Sequence, residues 1–308
     1  MTLAITVATH NFIAQASDRR LTDSKTGELF TDHANKAVVL DCQDGILSFA
    51  YTGLGFIGDI QADGFGQLRT DDWLAEVLSR NGAAGMRADE AITMLAEEAG
   101  QEVAKMKLAS SYKRTSFYVA GWPKVAALVP GIWWISNFES SSSPSRKDSS
   151  FHISYTRVSA VAEPTFEVGC MWLRKEIKRG CIILVGPQEE TVIHPQKQLG
   201  KLRDFLLRTT EPEEVTKKLV NFIRRCAGHP KQGKTIGRNC MAVFLSNDHQ
   251  GSFYYDEDSS RPVVFAPNFV GPGTVVKDIM YGTGKGPSVD EIEQMIDRKR
   301  QRDETQST

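Results

Sequence analysis

Apolar and polar positions alternate over residues 2–9, TLAITVAT, and again over 12–17, FIAQAS. A period of two in β-forming residues predicts two strands. Only His10 and Asn11 separate them, so the pair reads as a tight hairpin. Residues 36–42, KAVVLDC, and 46–52, ILSFAYT, predict a second hairpin, with Asp44-Gly45 as a type I′ turn. The period then lengthens. Trp73, Leu74, Val77 and Leu78 share one face of a helix predicted over 71–80, and Ala91, Met94, Leu95 and Val103 share one over 87–106.

Strand patterns return at 115–122, 124–138, 151–160 and 181–186. Helices are predicted over 195–209 and 212–227, the second with Val215, Leu219, Phe222 and Cys226 on one face, and strands over 240–246 and 252–256. The order is strands, two helices, strands, two helices, strands. It predicts an α+β protein: a four-layer αββα sandwich, two sheets covered by two helical layers, in one domain over residues 1–285. The serine-rich stretch 139–150 reads as a flexible loop. The charged tail 286–308 reads as disordered or as one short helix.

The charge balance changes little in this picture. Lys plus Arg is 37 against Asp plus Glu 38 among 308 residues, so no global field favours nucleic acid or an anionic membrane. The basic run RKEIKR at 174–179 reads as a solvated face. The five cysteines form no C-x-x-C and no metal-type spacing with the six histidines, which fits a reducing, cytoplasmic setting without metal or cofactor. The longest apolar stretch, 125–135, falls short of the roughly 20 residues that span a bilayer.

Two nucleotide motifs fail their context. GHPKQGKT at 228–235 fits G-x-x-x-x-G-K-[ST], but a helix precedes it and a strand follows, the reverse of a P-loop, and Pro230 has no N–H to offer phosphate. GLGFIG at 53–58 fits G-x-G-x-x-G, but the strand before it sits in a hairpin, and a helix stands where a second parallel strand belongs.

The hairpins instead build a site. With His10-Asn11 as the turn, Thr2 faces Arg19 and Leu3 faces Asp18; a one-residue change in turn length would exchange which of Asp18 and Arg19 shares the face of Thr2. With Asp44-Gly45 as the turn, Lys36 lies opposite Gly53. Thr2 follows an initiator methionine of the kind that cells remove. A free α-amine beside the Thr2 hydroxyl would titrate at roughly 7.7–8.0 and serve as a general base. Lys36 would lower that pKa and favour the developing alkoxide, Asp18 would hold Lys36 charged, and the Gly53 N–H would donate to the tetrahedral oxyanion.

At these residues the chain resembles the proteasome β-subunit family of N-terminal nucleophile hydrolases. Thr2 stands at the start, Asp18-Arg19-Arg20-Leu21-Thr22 ends the second strand, Lys36 opens the next, and Gly53 follows the fourth. The resemblance implies that Thr2 is nucleophile and base, that Asp18 and Lys36 tune charge, that Arg20 and Thr22 contact the substrate, and that Gly53 is the oxyanion donor. It implies a peptide or other amide substrate, no cofactor, and a homo-oligomer. The chain departs from the family at 234–240, KTIGRNC, where an Asp-x-x-Ser-Gly segment belongs. Three functions follow: an amide hydrolase, or transpeptidase, acting through an acyl-enzyme on Thr2; a catalytically silent proteasome-like scaffold or ring subunit; and a nucleotide-binding protein using Gly228–Thr235.

Overall fold

In chain order the two large sheets are built from β1 (Ala4–Thr9), β2 (Phe12–Asp18), β3 (Ala37–Cys42), β4 (Gly45–Thr52), β5 (Ser116–Pro123), β6 (Gly131–Ser136), β7 (Phe151–Ser154), β8 (Glu167–Trp172), β9 (Cys181–Gly186), β10 (Cys240–Ser246), β11 (Gly251–Asp256), β12 (Asn268–Gly271) and β13 (Thr274–Val276). The helices are α1 (Thr70–Arg80), α2 (Ala88–Lys105), α3 (Pro195–Leu206) and α4 (Pro212–Ala227). This computed structural model describes residues 2–23, 26–58, 68–123, 129–141, 151–154, 156–158, 161–173, 180–186, 195–228, 235–246, 251–256, 263–265, 267–277 and 280–282. Most of the 139–150 loop, the 174–179 run, positions 229–234 of the P-loop-like stretch and the 286–308 tail lie outside the described residues.

One sheet has the order β7-β9-β1-β2-β10-β11, the other β8-β6-β5-β4-β3-β12-β13. Parallel pairing occurs between β7 and β9 and between β3 and β12; the remaining ladders are antiparallel. Alternation along each strand sorts its side chains between apolar clusters. Leu3, Ile5 and Val7 pack with Leu199 and Leu202 of α3 and with Val215, Leu219, Phe222 and Ile223 of α4. The intervening Ala4 and Ala8 pack instead with Ala37, Val39, Ala50 and Tyr118 of the other sheet. The opposite face of that second sheet, through Val38, Leu40, Phe49 and Phe117, meets Trp73, Leu74, Val77 and Leu95 of α1 and α2. Every residue of β1 and β2 is buried, because both faces of these strands are covered. The protein is thus α+β, with several sheets and four helices among the described residues.

The first hairpin has the expected register, with Ala4 across from Ser17 and Ala8 from Ile13. The second is shifted by two residues. Ala37 pairs with Ala50 and Cys42 with Gly45, so the turn is Gln43-Asp44 and Gly45 is already strand. The reason is tertiary. Asp44 Oδ1 accepts a hydrogen bond from the Ala88 N–H at 2.8 Å, and Gln43 N–H donates to the Met86 carbonyl at 2.9 Å, so the approach to α2 claims the turn residues. A shift of two preserves which face each side chain takes. Of the expected 124–138 strand, residues 124–128 lie outside the described residues, and within the rest β6 covers Gly131–Ser136. Strands β8, β12 and β13 had no clear pattern. β8 is mostly exposed along its length, and Pro and Gly surround β12 and β13.

Candidate active site

The first hairpin brings Thr2, Leu3 and Asp18 together. Asp18 N–H donates to the Leu3 carbonyl at 3.2 Å, and Leu3 N–H returns a bond to Asp18 Oδ1 at 2.7 Å. Oδ2 of the same carboxylate accepts from the Arg20 and Gly237 N–H groups, both at 3.0 Å. Asp18 is fully buried, and three backbone donors fix its orientation.

Lys36, also fully buried, enters from the residue before β3. Its ammonium has three N–H donors, and three acceptors receive them: Thr2 Oγ1 at 2.6 Å, the Arg20 carbonyl, and Asp18 Oδ2 at a longer 3.5 Å. Burial pushes the lysine below its usual range, while Asp18 pulls it back up. A lysine so placed stabilises an alkoxide when charged, and when neutral it lies within proton-transfer reach of the Thr2 hydroxyl.

Thr2, Asp18 and Lys36 therefore meet. Gly53 stands one residue beyond the contact: Thr52 is the residue that touches Thr2, accepting from its N–H at 3.1 Å and donating to its carbonyl at 3.0 Å. The two-residue register shift removes Gly53 from the position opposite Lys36. Gly53 is exposed with φ +98°, and a Cβ there would sit 1.9 Å from the Arg114 carbonyl oxygen. Arg20 supplies backbone groups to the cluster, while its side chain grips Asp32 at 2.6 and 2.9 Å. That hydrogen-bonded pair raises the arginine pKa further. Thr22 lies in the short ribbon formed with Leu29–Thr31.

Sequence reasoning missed Thr52 and Gly237. The signal for Thr52 was its place at the end of an alternating strand. Gly237 belongs to the segment that departs from the family pattern, yet its N–H reaches Asp18, and a Cβ there would come within 2.8 Å of Arg20 Cβ. Asn239 acts through its carbonyl, which accepts from Arg19 N–H at 2.9 Å. Among the described residues no group of His, Cys, Asp or Glu could hold a metal ion, and no helix is long and apolar enough to cross a membrane.

No family model and no curated protein matches this chain. Solved structures do. Anbu (ancestral beta-subunit) from Yersinia bercovieri is 11% identical, with 83% of this chain and 87% of that one covered, at a TM-score of 0.47. Anbu from Hyphomicrobium sp. strain MC1 is 9% identical, with 84% and 89% covered, at 0.44. The helical assembly of the Anbu complex from Pseudomonas aeruginosa is 13% identical, with 83% and 88% covered, at 0.40. These findings correct the expected membership of the proteasome β-subunit family. No family model places the chain there, and the matched structures are Anbu proteins, at scores too low to define a family or an activity.

Proposed function

We propose that this chain is an amide-bond hydrolase whose nucleophile is Thr2 Oγ1, active once the peptide bond preceding Thr2 has been cleaved. The observation that carries the reading is the 2.6 Å contact between Lys36 Nζ and Thr2 Oγ1, in a buried cluster anchored by Asp18. Thr2 Oγ1 attacks the substrate carbonyl carbon, and its proton passes to the α-amine or to a neutral Lys36. The C–N bond then breaks, and the leaving amine takes that proton. Water cleaves the resulting ester and regenerates Thr2; a second amine in place of water would make the same site a transpeptidase. The Gly53 N–H is the oxyanion donor in this reading, and Arg20 and Thr22 border the substrate. The three apolar clusters support a four-layer αββα stack within one domain over 1–285.

The test combines N-terminal sequencing with a hydroxyl-directed electrophile. The mature chain is expected to begin at Thr2, to gain one adduct there, and to lose it in Thr2→Ala. A chain with a free Thr2 amine that takes no adduct would instead be the silent scaffold. A Thr2→Ala variant with full peptidase activity would overturn the nucleophile assignment.

A further inference from the structure

Helices α3 and α4 carry some cations that the chain satisfies and some that it does not. Lys217 pairs with Glu213, Arg203 pairs with Asp204, and Arg224 donates to the Arg238 carbonyl at 3.0 Å. Lys201, Lys218 and Arg225 have no carboxylate partner among the described residues. These three line one cleft of about 410 Å³, together with Asn221, Leu202 and Phe222. The cations and Asn221 are exposed, while Leu202 and Phe222 are buried and form an apolar floor. Small-molecule sites occupy roughly 300–1,000 Å³, so the cleft is large enough to hold one.

Lys218, Asn221, Phe222 and Arg225 stand at i, i+3, i+4 and i+7 of α4 and so form one stripe. Its charged ends are ~10.5 Å apart at the helical rise, and Lys201 adds a third charge from α3. Lys218 Nζ lies 4.9 Å from the centre of the Phe205 ring, which holds its ammonium beside α3. Like charges gathered without a counter-charge repel one another, and an anion relieves that repulsion. A lone phosphate or carboxylate meets one end of the stripe, whereas a chain of linked phosphates carries charge to both. The apolar floor adds a place for a flat ring, and the Asn221 amide offers two donors and an acceptor to the edge of that ring.

We propose that this cleft binds an organic polyphosphate: linked phosphates joined to an aromatic ring, as in a nucleoside triphosphate. The phosphates lie along Lys201, Lys218 and Arg225, and the ring lies over Leu202 and Phe222. The site lies outside the P-loop-like stretch at 228–235 and shares no residue with the cluster around Thr2.

The test is calorimetric titration of the full chain with ATP, AMP and inorganic tripolyphosphate at about 0.1 M salt, without divalent cations, so that the phosphates keep their full charge. One ATP is expected per chain, bound roughly tenfold or more tighter than AMP, which has a single phosphate. Tripolyphosphate is expected to bind more weakly than ATP, because it leaves the apolar floor uncovered. Lys218→Ala with Arg225→Ala, checked for folding by circular dichroism, weakens ATP by roughly tenfold or more. Lys201→Ala weakens it from the other side of the cleft. Lys234→Ala, in the P-loop-like stretch, leaves ATP binding unchanged. Absence of ATP binding at about 1 mM overturns the proposal. So does a folded double variant that binds ATP like the parent, or a loss that follows Lys234→Ala instead. AMP or tripolyphosphate bound as tightly as ATP overturns the assignment of an organic polyphosphate.

Discussion

Removing the Asp18 carboxylate is the most informative single perturbation of the candidate site. It accepts three backbone N–H bonds at 2.7, 3.0 and 3.0 Å and pairs with a fully buried lysine. Asp18→Ala strands three donors, each worth about 1 kcal/mol or more when left unpaired. It also leaves Lys36 without its counter-charge, which costs about 3–5 kcal/mol for a buried pair. Lys36 limits that second cost by shedding its proton, since burial already lowers its pKa. The expected loss is about 4 kcal/mol. In urea unfolding at neutral pH the midpoint should fall by roughly 1 M or more. Asp18→Asn should lose less, because its amide oxygen can still serve the Arg20 and Gly237 donors while its NH2 faces Leu3. Adding Lys36→Met to Asp18→Ala should cost less than the two changes summed, with a coupling of about 2 kcal/mol. A loss under about 1 kcal/mol for Asp18→Ala would refute the claim that this carboxylate organises the site.

Three further predictions concern neighbouring features. Lys36 is harder to protonate in the folded chain than in the unfolded one, whose reference value is 10.5. The unfolded state therefore binds more protons between the lowered folded pKa and 10.5, and the lysine's effect on stability improves as pH rises through that window; Lys36→Met should lose this slope in unfolding curves recorded against pH. Gly53→Ala forces a side chain into φ +98° and against the Arg114 carbonyl, and should lower the melting temperature by roughly 6 °C or more. Asp44→Ala removes the acceptor for the Ala88 N–H at the start of α2 and should cost about 1 kcal/mol in denaturant titration, the loss expected of an ordinary N-cap.

The sequence by itself determined the local elements with strong periods: the first hairpin and its register, and all four helices to within a few residues. In these segments local propensity and burial point the same way, so a single period identifies the element. It also singled out Thr2, Asp18 and Lys36: counting across the His10-Asn11 turn set Asp18 beside the first residues of the chain, whereas Lys36 entered through a second-hairpin register that the structure shifts by two. Tertiary structure decided the rest. The second hairpin looked like an Asp-Gly turn, but Met86, just before α2, and Ala88, its first residue, take Gln43 and Asp44 into hydrogen bonds, and the ladder moves by two. That shift put Thr52 rather than Gly53 against Thr2. Gly237 lies 219 positions from the aspartate it supports, and no local pattern carries information over that separation. Strands β8 and β12 were hidden for a related reason: one is an exposed edge neighbour of β6, and the other is held by parallel pairing to β3, so neither needs the alternation that marks a strand in isolation.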